Sequence, residues 1–309
     1  MQTWAIIVDS FRESRDRKMF WVMLIMSILV SLAMACVSFE PGRVSLLFGM
    51  TEFETGAFTF GHHIRPQVIG TVVVDFIFTL MMGNVGIIVA IIATAGMFTS
   101  LLQRGSIEVL LAKPMSRTKL FFSRYLGTLT FIAFHGTVFV LLTFLVMGLR
   151  WGVWLPGYLL SIPLIVLLYS YLQCVSVLVA IVTRSTVTAI MLTLVAWMAF
   201  GGVQIVDDLF TDNPSWQQYK TVYTITHAMR WIVPNTADIG LTARKWAGTD
   251  PIFDIMPTVS QEDQAEFDRA KRIVTARLKV KTIYTVGSSL TFELFVLSIA
   301  LWRFSKQDF

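Results

Sequence analysis

The fold class this sequence predicts is an all-α integral membrane protein, a bundle of six transmembrane helices in one transmembrane domain over 1–309. Three observations predict it. Of the 309 residues, 55% are hydrophobic and only 15% charged, against about 25% charged in soluble domains. The apolar residues are gathered into six runs, at 20–38, 73–99, 120–148, 157–182, 186–206 and 282–302, and a span needs about 20 such residues. Each run is continuous rather than alternating, which excludes a transmembrane β-barrel.

Along the chain, residues 1–19 come first. Trp4, Ile7, Val8 and Phe11 fall on one helical face, as i, i+3, i+4 and i+7 positions do. The pairs Arg12/Asp16 and Glu13/Arg17 add i,i+4 support. This is an amphipathic helix suited to the headgroup plane. In the first span, Ala33-Met34-Ala35 precedes Cys36 like a cleavage site, but the apolar run exceeds the ~7–15 residues of a signal peptide. It reads as a membrane helix. The following segment, 39–72, carries turn punctuation at Pro41-Gly42, Gly49, Gly56 and Gly61, which leaves room for short strands.

The long segment 207–281 opens with Asn213-Pro214, an N-cap followed by proline at N1. Trp216, Tyr219, Tyr223 and Met229 then outline an amphipathic helix ending at Pro234, at the outer surface or the bundle mouth. Ser260 and Asp263 resemble a capping box for a second helix running to Lys281.

Charge orients the bundle by the positive-inside rule. Arg12, Arg15, Arg17 and Lys18 precede the first span. Arg104, Lys113, Arg117, Lys119 and Arg124 lie between spans two and three, Arg184 follows span four, and Arg303 and Lys306 follow span six. The opposite side has Arg43, Arg65 and Arg150 in its shorter loops. Both ends of the chain are therefore cytoplasmic, with 39–72 and 207–281 extracytoplasmic. The same placement explains the net charge of +5 without nucleic acid as a partner.

Several chemistries are missing. There is no Gly-Lys dipeptide, hence no phosphate-cradling G-x-x-x-x-G-K-[ST] loop. H-E-x-x-H, C-x-x-C and G-x-S-x-G are absent too. His62-His63 lack nearby acidic or thiol co-ligands, and the 15 methionines lie mostly singly in apolar runs, so no metal site is assigned. Cys36 and Cys174 fall at different depths and form no disulfide framework. No catalytic residue and no cofactor is assigned to the chain. The polar residues inside spans carry more information. Asn84, His135, Gln173 and Glu293 lie within spans two, three, four and six. A charge such as Glu293 is costly in hydrocarbon and functional by default, while interhelical hydrogen bonding is the structural alternative.

Residues 104–127 read RGSIEVLLAKPMSRTKLFFSRYLG. Ser106–Leu111 suit a short helix, Pro114 stops it, and Ser116 suits the cap of the helix that continues as span three. The segment 100–119 is thus a cytoplasmic lever between two spans. It resembles the first cytoplasmic loop of ABC-2 type transporter permeases, whose pattern is E-G-T-[IL]-x-x-L-L-[AS]-x-P-[IV]-S-R. Gly105, Ser106, Ile107, Leu110, Leu111, Pro114, Ser116 and Arg117 carry the match. Ser106 stands for threonine, Met115 for the β-branched residue, and Gln103-Arg104 where acidic residues often occur. Ile232-Val233-Pro234-Asn235 and the Arg303–Phe309 segment extend the likeness, while the external segment before span six is longer than the family norm.

The resemblance implies an exporter in a bacterial inner membrane. Two permease copies, as a homodimer, would work with two separate ATP-binding subunits that carry ATP and Mg. It implies a coupling role for Arg104, Gly105, Ser106, Ile107, Glu108, Leu110, Leu111, Lys113, Pro114, Ser116 and Arg117. It leaves room for an extracytoplasmic partner at 207–281. Two other readings remain at this stage: an ion-coupled carrier relaying protons through Glu293 and His135, and a membrane scaffold or sensor with 207–281 as receptor.

Overall fold

A computed structural model describes residues 18–40, 43–46, 49–54, 74, 76–77, 84–102, 116–212, 219–247 and 282–307. Its helices are α1 Lys18–Ala35, α2 Val85–Leu101, α3 Arg117–Trp151, α4 Ser161–Thr183, α5 Thr186–Asp212, α6 Lys220–Ile232, α7 Thr236–Ala247 and α8 Thr282–Ser305. A 3₁₀ turn, Pro156–Leu160, leads into α4. Among the described residues, five helical segments are long and apolar enough to cross a membrane: Lys18–Ala35, Arg117–Trp151, Pro156–Thr183, Thr186–Phe210 and Val286–Ser305. Of the run at 73–99, the described residues include α2, of 17 residues, and Val74 and Ile77 upstream of it, buried in the same core.

Helix α4 is the hub. It packs against α2, α3, α5, α7 and α8, and Leu168, Tyr171, Leu172, Cys174 and Val177 are almost wholly buried. Helices α1, α5 and α8 lie outside it and leave one side exposed. Helix α1 shows the membrane version of amphipathicity. Its buried positions, Phe20, Met23, Ser27, Ser31 and Met34, include small hydroxyls, while exposed Trp21, Ile25, Leu29 and Leu32 suit lipid. Small residues allow close helix approach. Ser27 and Ser31 donate to the carbonyls of Met23 and Ser27, at 2.9 and 2.8 Å, so neither hydroxyl is left wanting in hydrocarbon.

Helix α3, at 35 residues, is about 52 Å long, more than a ~30 Å hydrocarbon core requires. It starts at the cap of Ser116, whose Oγ accepts from Lys119 N at 3.3 Å. It ends in a Schellman-type stop. Gly152 has φ 68°, and the amides of Gly152 and Val153 return to Gly148 O and Met147 O. Arg184, also left-handed at φ 53°, closes α4 and turns the chain directly into α5.

The segment 39–72 departs from a purely helical reading. Strands β1 Ser38–Glu40, β2 Arg43–Leu46 and β3 Thr51–Glu54 form an antiparallel meander. Pairing of Glu40 with Arg43 makes the first connection the two residues Pro41-Gly42, and Gly49 at φ 95° serves the second, where a side chain would be strained. Arg150 donates to Ser38 Oγ and Trp151 Nε1 to Val37 O at 3.0 Å, tying the meander to the end of α3.

The helices of the 207–281 segment differ from expectation in two ways. Helix α6 begins at Lys220, with Tyr219 as its N-cap, later than the Asn213-Pro214 signal. It does stop before Pro234, because Val233 is extended at φ −87°, ψ 144°, as the residue preceding a proline must be. The second difference is α7, an additional helix directly after that proline. Its buried Ile239, Thr242, Ala243 and Ala247 recur at helical spacing and pack on the Pro156–Leu160 turn and α4. The helix expected from Ser260 to Lys281, residues 1–17 of the N-terminal segment and residues 103–115 of the 100–119 lever fall outside the described residues.

Candidate functional site

Two places gather the sequence-selected residues: the rim where α2, α3, α4 and α8 end together, and a polar network inside the bundle. Among the coupling candidates, Arg104, Gly105, Ser106, Ile107, Glu108, Leu110, Leu111, Lys113 and Pro114 lie outside the described residues. Ser116 and Arg117 are described, and so are both attachment points of that segment. Leu101 and Leu102 before it, and Leu120 and Phe121 after it, are buried in one cluster with Ile181 of α4 and Phe304 of α8. The rings of Phe98, Phe121 and Phe304 pack mutually, with centroids 5.6, 5.8 and 6.4 Å apart. Such aromatic pairs prefer these edge-on and tilted arrangements.

Arginines secure the rim. Arg117 Nη1 donates to Ser305 O at 2.9 Å and Gln307 O at 2.7 Å. Those carbonyls belong to the end of α8, where intrahelical donors run out. Arg124, nearly buried, donates through Nε to Met97 O at 3.1 Å and through Nη2 to Ser100 Oγ at 3.3 Å, at the end of α2. Arg117, in the first turn of its own helix, is unfavourably placed against that dipole. Both side chains instead reach the C-terminal, negative end of a neighbour. Gln307 Nε2 closes the ring of contacts by donating to Ile181 O at 2.9 Å.

Within the bundle, Glu293 is 8% exposed. Tyr125 Oη donates to its Oε1 at 2.7 Å and Ser170 Oγ to its Oε2 at 2.8 Å. The carboxyl group thus ties α8 to α3 and α4 and points into protein. His135 and Asn84, which share its approximate depth in the sequence, are not its partners. Tyr125 and His135 are ten residues apart on α3, a rise of about 15 Å. Asn84 is exposed at the N-cap of α2. Its short polar side chain suits a helix start.

His135 is buried among Phe20, Phe131 and Phe134, with ring centroids 4.4 to 5.3 Å away. Its Nδ1 lies 3.0 Å from Phe131 O and its Nε2 3.2 Å from Phe20 O. A neutral imidazole donates through one nitrogen only, so one of the two is a donated bond in each tautomer. The ring borders a cavity of about 80 Å³ between α1, α2, α3 and α4, whose walls include Met23, Ile87 and Phe139. Gln173 is also buried. Its Oε1 accepts from Tyr169 Oη at 2.7 Å, Tyr169 also meets Thr94, and Gln173 Nε2 has no partner among the described residues.

Some site residues escape sequence reading. Tyr125 and Ser170 look like ordinary span residues, and nothing local marks them as partners of Glu293. Asp207 and Asp208, in the last two turns of α5, had a visible signal as adjacent acids beside an apolar run. Arg230 of α6 donates to both, at 2.8 and 3.0 Å, and His227 Nδ1 lies 3.2 Å from Asp207. Just beyond, Gln204 Nε2 donates to Pro234 O at 2.7 Å and Asn235 N to Ser289 Oγ at 3.0 Å. These bonds fix the α6–α7 elbow against α5 and α8. No group of three or more potential metal ligands occurs among the described residues.

Membrane-length apolar helices around a buried polar network define a multi-pass membrane protein. The family profile described as ABC-2 family transporter protein matches residues 4–309, and the chain belongs to that family. It is a membrane component of a transporter, and the family implies an ABC ATP-binding partner. Comparison with curated proteins and with solved structures gives no match.

Proposed function

We infer that this chain is the permease subunit of an ATP-driven exporter. Two copies form the membrane pathway, and segment 104–114 docks on a separate ATP-binding subunit, which carries ATP and Mg. The family match over 4–309 carries this reading. The anchoring of Leu101–Leu102 and Leu120–Phe121 in one buried cluster supports it, because a lever passes force only if its ends are held. The ion-coupled alternative has less support, since Glu293 is held by Tyr125 and Ser170 about 15 Å along α3 from His135.

Co-expression with the candidate ATP-binding subunit and purification through a tag on the permease tests the reading. Arg117 serves the end of α8, so Arg104→Glu with Lys113→Glu is the cleaner docking variant. The expected outcome is a complex with the parent chain and loss of the ATP-binding subunit with the variant. Equal recovery from both would overturn the docking assignment.

A further inference from the structure

Arg117 stands one residue past Ser116, where the lever rejoins the bundle, yet its guanidinium is spent on the end of the last span. Two backbone carbonyls, of Ser305 and Gln307, accept from one nitrogen of Arg117. Gln307 in turn donates to Ile181 O in the last turn of α4. Directly beneath lie Phe121 and Phe304, both fully buried and in ring contact. Three helix ends distant in sequence are thus joined by three hydrogen bonds and one aromatic contact.

We propose that residues 305–307 are a clasp, with Arg117 and Gln307 as positioning residues, that makes the start of α3, the end of α4 and the end of α8 one mechanical body. The proposal deepens the functional reading above. A displacement delivered to segment 104–114 reaches α8, the helix that carries Glu293, through the Arg117 and Gln307 bonds. The physical ground is the placement of charge. Arg117 sits at the first position of α3, where its own helix dipole opposes a cation, and α8's unfilled carbonyls supply the compensation. An arginine there is explained by the clasp and not by α3 alone.

Spin labels on Lys119→Cys and Lys306→Cys, both exposed positions, report the separation across the clasp. Cys36 is replaced by serine, and Cys174, fully buried, is kept. In nanodiscs the parent chain is expected to give one narrow distance distribution. In complex with the ATP-binding subunit, that distance stays unchanged when hydrolysis is trapped with ATP and orthovanadate. Gln307→Ala, a mild change at the surface end of the bundle, and Arg117→Ala should each broaden the distribution. Gln307→Ala should still copurify with the ATP-binding subunit.

A distance in the parent complex that shifts on trapping would overturn the single-body proposal. Distributions as narrow as the parent's in both variants would overturn the clasp. Failure of the parent chain to bind any ATP-binding subunit would instead count against the functional reading. The broadening comparison, made on the permease alone, would still decide the clasp.

Discussion

Glu293 shows how a single acidic residue is made tolerable in a span. An isolated carboxylate at the centre of a bilayer is costly, and this one is shielded by protein on α3 and α4 and receives a hydroxyl on each oxygen. Tyr125→Phe removes one donor while keeping the ring. It is expected to destabilise the protein by about 0.6 kcal/mol and by no more than about 1.7 kcal/mol, the average and the maximum measured for interhelical hydrogen bonds in a membrane protein. Glu293→Gln should cost less, because the amide oxygen still accepts from Tyr125 and the amide nitrogen is able to donate to Ser170. Thermal unfolding of both variants in nanodiscs is the check. A Tyr125→Phe midpoint equal to that of the parent would mean the bond contributes nothing to holding α8 against α3.

At the scale of elements, packing of α7 depends on an absent side chain. Gly157 lies in the 3₁₀ turn before α4, and a Cβ there would sit 1.9 Å from Trp246 O on α7. A backbone carbonyl yields poorly. Gly157→Ala is therefore expected to push α7 off the bundle and cost about 1–3 kcal/mol, as overpacking does. Faster tryptic cleavage at Lys245, an exposed residue of α7, reads the displacement, and an unchanged rate would refute it. Gly201 and Gly202 of α5 make the contrast. A Cβ meets nothing within 4 Å at either, so alanine there is accepted sterically and gains up to about 1 kcal/mol of helix propensity.

At the scale of the whole molecule, charge and packing point to the same sidedness. Arg117, Arg124, Arg184, Arg303 and Lys306 all lie at the end of the bundle where α2, α4 and α8 terminate, while Arg150 and the meander lie at the other. The rule that basic residues stay inside predicts that the first end faces the cytoplasm. A membrane-impermeant thiol reagent is expected to label Lys220→Cys, exposed on α6, in intact spheroplasts. Lys119→Cys should react only after permeabilisation. The reverse pattern would invert the orientation.

What the amino-acid order settled by itself is whatever depends on runs and ends. The apolar stretches marked the helices, Ser116 announced the start of α3, and Pro234 announced the end of α6. Hydropathy, capping and proline sterics are local, so no neighbour is needed to read them. The tertiary structure alone decided which faces meet. Helix α1 is apolar on its exposed side and mostly apolar on its buried side, where only Ser27 and Ser31 interrupt, so a helix that must please lipid as well as protein shows only a faint periodicity from which to read a packing face. So the sequence placed Glu293 at a depth, and only the rotation of α8 against α3 and α4 gave it Tyr125 and Ser170. Arg117 likewise counted as one more cytoplasmic charge until the fold set the carbonyls of α8 before it.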